Sequence, residues 1–184
     1  MTTSSRRRTA YHHGNLRPTL LRAAGELLED QGAARVALRS LARRAGVSHS
    51  APNRHFADRG ALLAALAAEG VAMLGERLRG KPAREMGEAY VRFALEQPQR
   101  FRLMFGGVLP LGKYPHLGTA AEAAHQALVE AFRDLPRPDV AAAAAWSLVH
   151  GLSHLLLDGH FAAKDKATFV REVLGAVRFA QRAA

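Results

Sequence analysis

The residues best suited to chemistry lie in one short polar segment, Ala45–Phe56, with the sequence AGVSHSAPNRHF. Asn53 can bond bidentately to an adenine edge and Arg54 to a guanine edge in the major groove of DNA, whereas Ser and His side chains are less selective. We therefore interpret the polar residues of this segment as candidate base contacts, namely His49, Ser50, Asn53 and Arg54. A cap or turn role stays open for Asn53 and His55.

A second group, His150, His154 and Asp158, recurs every four residues and could align three ligands on one helix face. His150 and Asp158 would nevertheless lie about 12 Å apart along the helix axis, too far for a direct acid/base pair. We expect His150 to be hydrogen-bonded in the core or to line a ligand pocket. No P-loop, GxGxxG or GxSxG motif occurs, so we expect no metal, no cofactor and no catalytic site.

Positive charge is concentrated in the first third of the chain. Of the net charge of +10, residues 1–60 contribute +7, from 11 Arg, no Lys and four acidic residues. Arginine suits phosphate because its planar guanidinium bonds bidentately. Charge alone does not separate DNA, RNA and anionic lipid, and a generally basic surface is a further alternative.

Composition favours packed helices. Hydrophobic residues make up 48% of the chain and aromatic residues only 7%, with abundant Ala and Leu. The absence of cysteine excludes disulfides and thiolate metal sites. We found no apolar run of about 18 residues and no apolar segment after the Arg-rich start, and therefore expect a cytoplasmic protein without a membrane span.

Turn residues divide the first part of the chain into helices. Asn15 can cap a first helix that Gly32 ends, and a second helix is predicted over Leu38–Ala45, with Gly46 as a tight stop. A short polar helix follows, although Pro52 should disfavour helical backbone angles at Ala51. Helix, glycine turn and short polar helix are typical of a helix-turn-helix.

A long fourth helix is predicted from its cap Asp58 to Arg79, and five or so helices follow the GKPAR segment, Gly80–Arg84. We therefore expect an all-α protein of about nine helices. Its divisions should be a basic flexible arm at 1–14, a helix-turn-helix domain with its linking helix at 15–79, and an effector-binding and dimerisation domain at 80–184.

Two helices near the C-terminus carry apolar faces. On Ala141–Phe161 an aliphatic face could meet the domain core or a partner subunit, and a Trp/His face could border a cavity. We expect a dimer interface of Leu148, Leu152, Leu155, Val173, Leu174 and Val177. The candidate pocket residues are Phe93, Phe101, Met104, Phe105, Trp146 and His150, for each of which ordinary core packing is an equal alternative.

The chain also resembles a known family. From HHGNLRPTLL to ALLAALAAEG, about sixty residues without a gap, it resembles the DNA-binding domain of the TetR/AcrR family of bacterial transcriptional regulators, with LARRAGVS, RHF and ALLAAL in register. FRLMFGG and the spacing of Trp146, His150 and Gly151 are similar to one C-terminal class of that family.

The resemblance implies a recognition helix over Ser48–His55, DNA contacts near Arg39 and Ser40, and Arg59 in the position of a phosphate-binding Lys. Family members usually have Tyr where this chain has Asn53. The family also implies a homodimer on a double-stranded DNA operator and a small-molecule pocket whose occupancy weakens DNA binding.

The leading hypothesis is therefore a dimeric repressor that a small, hydrophobic effector releases from a palindromic operator. The alternative is an effector-independent or architectural DNA-binding protein of the same fold. A membrane-surface role is disfavoured because the basic residues coincide with the helix-turn-helix.

Overall fold

The computed structural model describes residues 16–177, and within that range the chain forms eight α-helices and no strand. The all-α prediction is confirmed. The helices are α1 (Leu16–Gln31), α2 (Leu38–Arg44), α3 (Arg59–Leu78), α4 (Ala83–Glu96), α5 (Pro98–Phe105), α6 (Pro115–Glu130), α7 (Pro138–Leu157) and α8 (Lys166–Ala176). The count is one below the expected nine, because the recognition segment forms a short 3₁₀ helix, Pro52–Arg54. The proposed arm and the Asn15 cap lie outside the described residues.

The glycine stops act as expected. Gly32 follows α1 with φ 75° and Gly46 follows α2 with φ 66°, a region that side chains with a Cβ rarely adopt. After Gly46 the amide of Val47 bonds back to the carbonyl of Ala42 at 3.0 Å, which closes the end of α2. The recognition segment therefore leaves α2 in a defined direction.

Helix α3 packs into both large hydrophobic cores. Its Leu62 and Leu66 are buried with α1 and α2, whereas Leu74 is buried in the second core. Leu103 of α5 and Leu117 of α6 complete the first core from the other side of residue 80. The domain boundary predicted between residues 79 and 80 is therefore a turn between helices that pack into the same cores. The division into domains stays a prediction.

The second core lies between α3, α4, α5, α7 and α8. Val149, Leu152 and Leu156 of α7 bury one face of that helix. The buried Ser153 hydroxyl donates to the carbonyl of Val149 at 2.7 Å, so its polar atom is satisfied inside the helix. This packing holds α7 against α4 and α5, where the aromatic residues of the C-terminal half meet.

Helix α7 has 20 residues and is long and apolar enough to cross a bilayer by length and composition. The expectation that no such segment exists was wrong, because an Ala-rich helix with Leu and Val reaches the same hydropathy as a spanning segment. Core helices of soluble proteins pass the same test, and α7 packs into the second core through Val149, Leu152 and Leu156.

Burial at Val36 predicts a matched pair of stability changes. Val36 is fully buried in the first core, whereas Val108 is 69% exposed. We expect Val36→Ala to lower the free energy of unfolding by about 1.5–3 kcal/mol, and Val108→Ala to change it by less than about 0.5 kcal/mol. Urea unfolding followed by circular dichroism measures both. Equal losses would contradict the assignment of Val36 to the core.

Candidate nucleic-acid interface and aromatic site

The recognition segment is a series of tight turns. Pro52 has no amide hydrogen, so it cannot donate to the Ser48 carbonyl as an α-helix would require. Ala51 donates to Ser48 instead at 3.0 Å, and Arg54 donates to Ala51 at 3.2 Å. Ala51 has φ −61° and ψ −45°, so the expectation of non-helical angles there was wrong. The buried Pro52 ring offsets the preference against them.

Two buried side chains hold this segment on the first core. Pro52 is fully buried and Phe56 nearly so. Between and before them the candidate DNA contacts are turned to solvent. Ser48, His49, Ser50, Asn53 and Arg54 are exposed, and His55 is half-buried. Short turns with two anchors therefore present almost every polar residue of the segment.

Several candidate contacts have free hydrogen-bonding groups. Among residues 16–177, the side chains of Arg39, His49, Asn53 and Arg54 make no hydrogen bond or ion pair. Ser48 and Ser50 contact each other through their hydroxyls at 3.4 Å. Unpaired donors of this kind are what base edges and phosphates require.

Ser40 and Arg59 are tied into the fold. The Ser40 hydroxyl accepts from the Ala37 amide at 3.0 Å and so caps α2. Arg59 donates through Nε to the Val36 carbonyl at 2.8 Å and through Nη2 to the Ala33 carbonyl at 2.6 Å. A guanidinium has five N–H groups, so Arg59 keeps others for a phosphate. The start of α3 is thereby fixed against the α1–α2 connection.

Arg44 and Arg17 were not singled out from the sequence as candidate contacts. Arg44 pairs with Asp30 at 2.9 Å and with Glu26 at 3.3 Å, and the hydrogen bond that it donates to Asp30 is the main reason that its pKa is raised. It joins α2 to α1. Arg17 lies over the Phe56 ring at 5.5 Å, which places a cation of α1 beside the recognition segment. No periodicity in the sequence relates these two positions.

A second site consists of six rings from three helices. The rings belong to Tyr90, Phe101, Phe105, Trp146, His150 and His154. His150 is central, with ring centroids of His154 at 4.7 Å, Phe105 at 5.0 Å and Phe101 at 5.4 Å. We call this group the aromatic site. It joins α4, α5 and α7.

A hydrogen-bond chain runs through the aromatic site. Trp146 Nε1 donates to the Tyr90 oxygen at 3.1 Å, and that hydroxyl lies 2.9 Å from His150 Nδ1. The Tyr90 oxygen accepts from Trp146, and its hydrogen bond to His150 runs in the direction that the imidazole tautomer sets. Burial, and next the charge of His154, lower the pKa of His150, and burial raises the pKa of Tyr90. Both the Tyr90 phenol and the His150 imidazole are therefore neutral near pH 7, and the two groups form one hydrogen-bonded chain with Trp146.

The predicted pocket residues divide into two groups. Phe101, Phe105, Trp146 and His150 come together in the aromatic site, whereas Phe93 is fully buried beneath the Arg77 guanidinium. Met104 packs against both cores. Whether any of them binds an effector stays a prediction.

Sequence reasoning missed two members of the aromatic site. Tyr90 was not among the candidate residues, and His154 was considered only as one of three residues that could align ligands on one helix face. The four-residue spacing from His150 was a signal that could have placed His154 among the rings. Tyr90 reaches the site from another helix, and no local pattern indicated it.

Asp158 is engaged elsewhere. Its carboxylate bonds to Arg102 at 2.6 Å, and this hydrogen bond is the main reason that the pKa of Asp158 is lowered. Across residues 16–177 no three His, Asp or Glu side chains are grouped so that they could hold a metal ion. The regular spacing of His150, His154 and Asp158 reflects ring packing and an ion pair.

The predicted dimer residues differ in exposure. Leu155 and Val177 are exposed, and Leu148, Val173 and Leu174 are half-buried. Leu152 is buried within its own chain. Because α7 turns Leu152 toward the second core, its side chain is already buried without a partner subunit. The other five keep apolar surface on α7 and α8.

Two family descriptions match the chain. Residues 83–177 match "Tetracyclin repressor-like, C-terminal domain", and residues 20–66 match "Bacterial regulatory proteins, tetR family". The first match alone covers more than half of the chain. A search of curated proteins gave no match.

Solved structures with the same fold cover nearly the whole chain. A protein of unknown function from Rhodococcus sp. RHA1 is 34% identical, with a TM-score of 0.78 over 91% of this chain and 94% of that one. A TetR transcriptional regulator from Rhodococcus sp. RHA1 is 21% identical, with a TM-score of 0.62 over 86% and 92%. AibR, solved with isovaleryl coenzyme A and operator DNA, is 14% identical, with a TM-score of 0.65 over 86% and 96%.

The lowered pKa of His150 predicts acid sensitivity. An unfolded His titrates near pH 6.5, so below that pH the unfolded chain takes up this proton before the folded one. Stability is therefore lost as pH falls through about 6.5 and toward the folded pKa. We expect His150→Gln, which keeps an acceptor for Tyr90, to reduce the loss, measured from urea midpoints across that range. The exposed His125→Gln is the control, and identical pH profiles for both variants would contradict this role of His150.

Proposed function

We propose that this chain, which belongs to the TetR family of bacterial transcriptional regulators, is a repressor that binds a palindromic operator as a homodimer. A small effector in the aromatic site releases it. The observation that carries the proposal is the exposed recognition segment, whose Asn53 and Arg54 are free to bond while Pro52 and Phe56 hold it on the core.

The DNA-binding role divides between base and phosphate contacts. Asn53 and Arg54 are the base readers, with His49 and Ser50 beside them. Arg39, Arg59 and Arg17 contact phosphates, which fix the register on the duplex without reading it. Ser40 acts by capping α2, so its contribution to DNA binding is to position Arg39.

Dimerisation supplies the second half-site. The apolar surface of α7 and α8, from Leu148, Leu155, Val173, Leu174 and Val177, forms a four-helix interface with the same surface of a second chain. Two recognition segments then reach successive major grooves if they lie about 34 Å apart or a multiple of that distance.

The effector binds at the aromatic site. Its rings provide apolar surface, and Nε2 of His150 provides one polar group, which donates to a carbonyl or similar acceptor when Tyr90 donates to Nδ1. AibR, with isovaleryl coenzyme A and operator DNA in one structure, supports an acyl-type effector for this fold. The effector must bind the DNA-incompetent conformation more tightly, because only differential affinity shifts the equilibrium.

The other properties follow from this role. The protein is a cytoplasmic, non-enzymatic regulator, divided into an arm at 1–14, a DNA-binding domain at 15–79 and an effector-binding and dimerisation domain at 80–184. The Asp158 carboxylate, which the four-residue spacing had placed on the same helix face as His150, pairs with Arg102 instead.

Selection from a random duplex library at near-physiological salt tests the function. We expect the bound pool to contain an inverted repeat whose half-sites are about one DNA turn apart or more. Sequencing of the pool measures this. Binding without sequence preference, steeply dependent on salt, would instead favour an architectural protein of the same fold.

Arg54→Ala tests base reading within the selected repeat. We expect specific affinity to fall by about 1–3 kcal/mol, with relaxed preference at one position of each half-site. Fluorescence anisotropy with matched and mismatched duplexes measures both effects. Arg133→Ala, an exposed Arg that pairs with Glu130 between α6 and α7, is the control. An unchanged preference in Arg54→Ala would exclude Arg54 as a base reader.

A further inference from the structure

Helix α5 carries a buried arginine next to the aromatic site. Arg100 is 6% exposed, and its neighbour Phe101 belongs to the aromatic site. A buried guanidinium is costly unless its donors are satisfied. Arg100 Nη1 donates to the Leu66 carbonyl at 3.1 Å and to the Glu69 carboxylate at 2.9 Å, both on α3.

Two glycines make room for Arg100. A Cβ on Gly25 of α1 would lie 2.5 Å from Arg100 Nη2, and a Cβ on Gly70 of α3 would lie 2.6 Å from Met104 Sδ and 3.0 Å from Arg100 Cγ and Cδ. A Cβ at either position would therefore require Arg100, or Met104 beside Gly70, to shift. The guanidinium and its stem therefore occupy a slot formed jointly by α1 and α3.

A carboxylate of α1 binds the first turn of α5. Glu29 accepts from the Gln99 amide at 3.1 Å and from the Arg100 amide at 2.8 Å. Both N–H groups lie in the first turn of α5 and have no partner within the helix, so Glu29 satisfies them. Its negative charge also complements the helix dipole there. We call Arg100, Glu29, Glu69, Gly25 and Gly70 the clasp. It joins α5 to α1 and to α3.

We propose that the clasp is the positioning contact that couples the aromatic site to the proposed DNA-binding domain at 15–79, which we call the head, so that α5 moves as one body with α1 and α3. The inference rests on the proposed function and names the residues of this chain that would transmit its regulation. Phe101 and Phe105 occupy one side of α5, and Arg100 occupies the slot on the other. A ligand that displaces the rings must therefore carry α1 and α3 with it or break the clasp.

Trp146 makes the coupling measurable. It is the only tryptophan of the chain, is 40% exposed and bonds to Tyr90 in the aromatic site. Because coupling between two sites is reciprocal, a duplex bound at the head must alter the aromatic site. Acrylamide quenching of Trp146 fluorescence, with and without a saturating selected duplex, reports this change.

In the wild-type protein we expect the quenching constant to change when the duplex binds. Arg100→Met keeps an unbranched stem without the guanidinium, and we expect it to bind the duplex and lose the change. Arg102→Met, the same substitution two residues further along α5 at an exposed pair with Asp158, should keep it. A wild-type protein that binds duplex with no change in quenching, or a folded Arg100→Met that retains the change, would overturn the proposal.

A second measurement needs no DNA and covers the case in which Arg100→Met does not fold. Glu29→Gln alters the clasp from α1, with no contact to the aromatic site, and should shift the quenching constant of Trp146. Glu26→Gln, on the same helix and paired with Arg22 and Arg44, should not. Equal quenching constants for both variants and for the wild type would overturn the proposal that the clasp couples the two sites. If Glu29→Gln shifts the quenching constant but the duplex library yields no inverted repeat, the coupling is retained and the repressor function is rejected.

Discussion

Helix α3 belongs to two hydrophobic cores, and the positions of both candidate sites depend on that constraint. Its first half packs on α1 and α2 through Leu62 and Leu66, and its second half packs on α4 through Leu74. A straight helix of 20 residues is about 30 Å long, so a small rotation at one end becomes a displacement at the other. Contacts that bind α3 to neighbouring helices therefore determine how the two candidate sites move relative to each other.

The recognition segment shows how little regular structure is needed to expose a row of polar side chains when two anchors hold it on the core. Pro52 and Phe56 bury their rings, and Gly46 sets the direction in which the chain leaves α2. With those three positions fixed, tight turns suffice to expose the intervening polar side chains. The loss of one α-helical bond at Pro52 is offset by the burial of its ring and by bonds of shorter span.

The fold was predictable because its signals are local. Apolar periodicity, glycine stops and the Asp58 cap, which accepts from Ala61 at 2.7 Å, predicted the helices nearly to their ends. The exposed recognition residues followed from the same reasoning. What local patterns could not supply was the partner across helices. Tyr90 meets His150 from sixty residues away, and nothing near Arg100 in the sequence indicates that Gly25 and Gly70 make room for it.

The charges of the two sites also constrain how they can communicate. Positive charge is concentrated in the head, whereas His150 is neutral, Asp158 is paired with Arg102, and Arg100 is paired with Glu69. At physiological ionic strength exposed charges are screened over about 8 Å. A neutral aromatic site inside such a structure is affected little by the field of bound DNA. Any influence of one site on the other must therefore pass through packed contacts between helices, and α5, which touches the aromatic rings on one side and α1 and α3 on the other, is the element that supplies them.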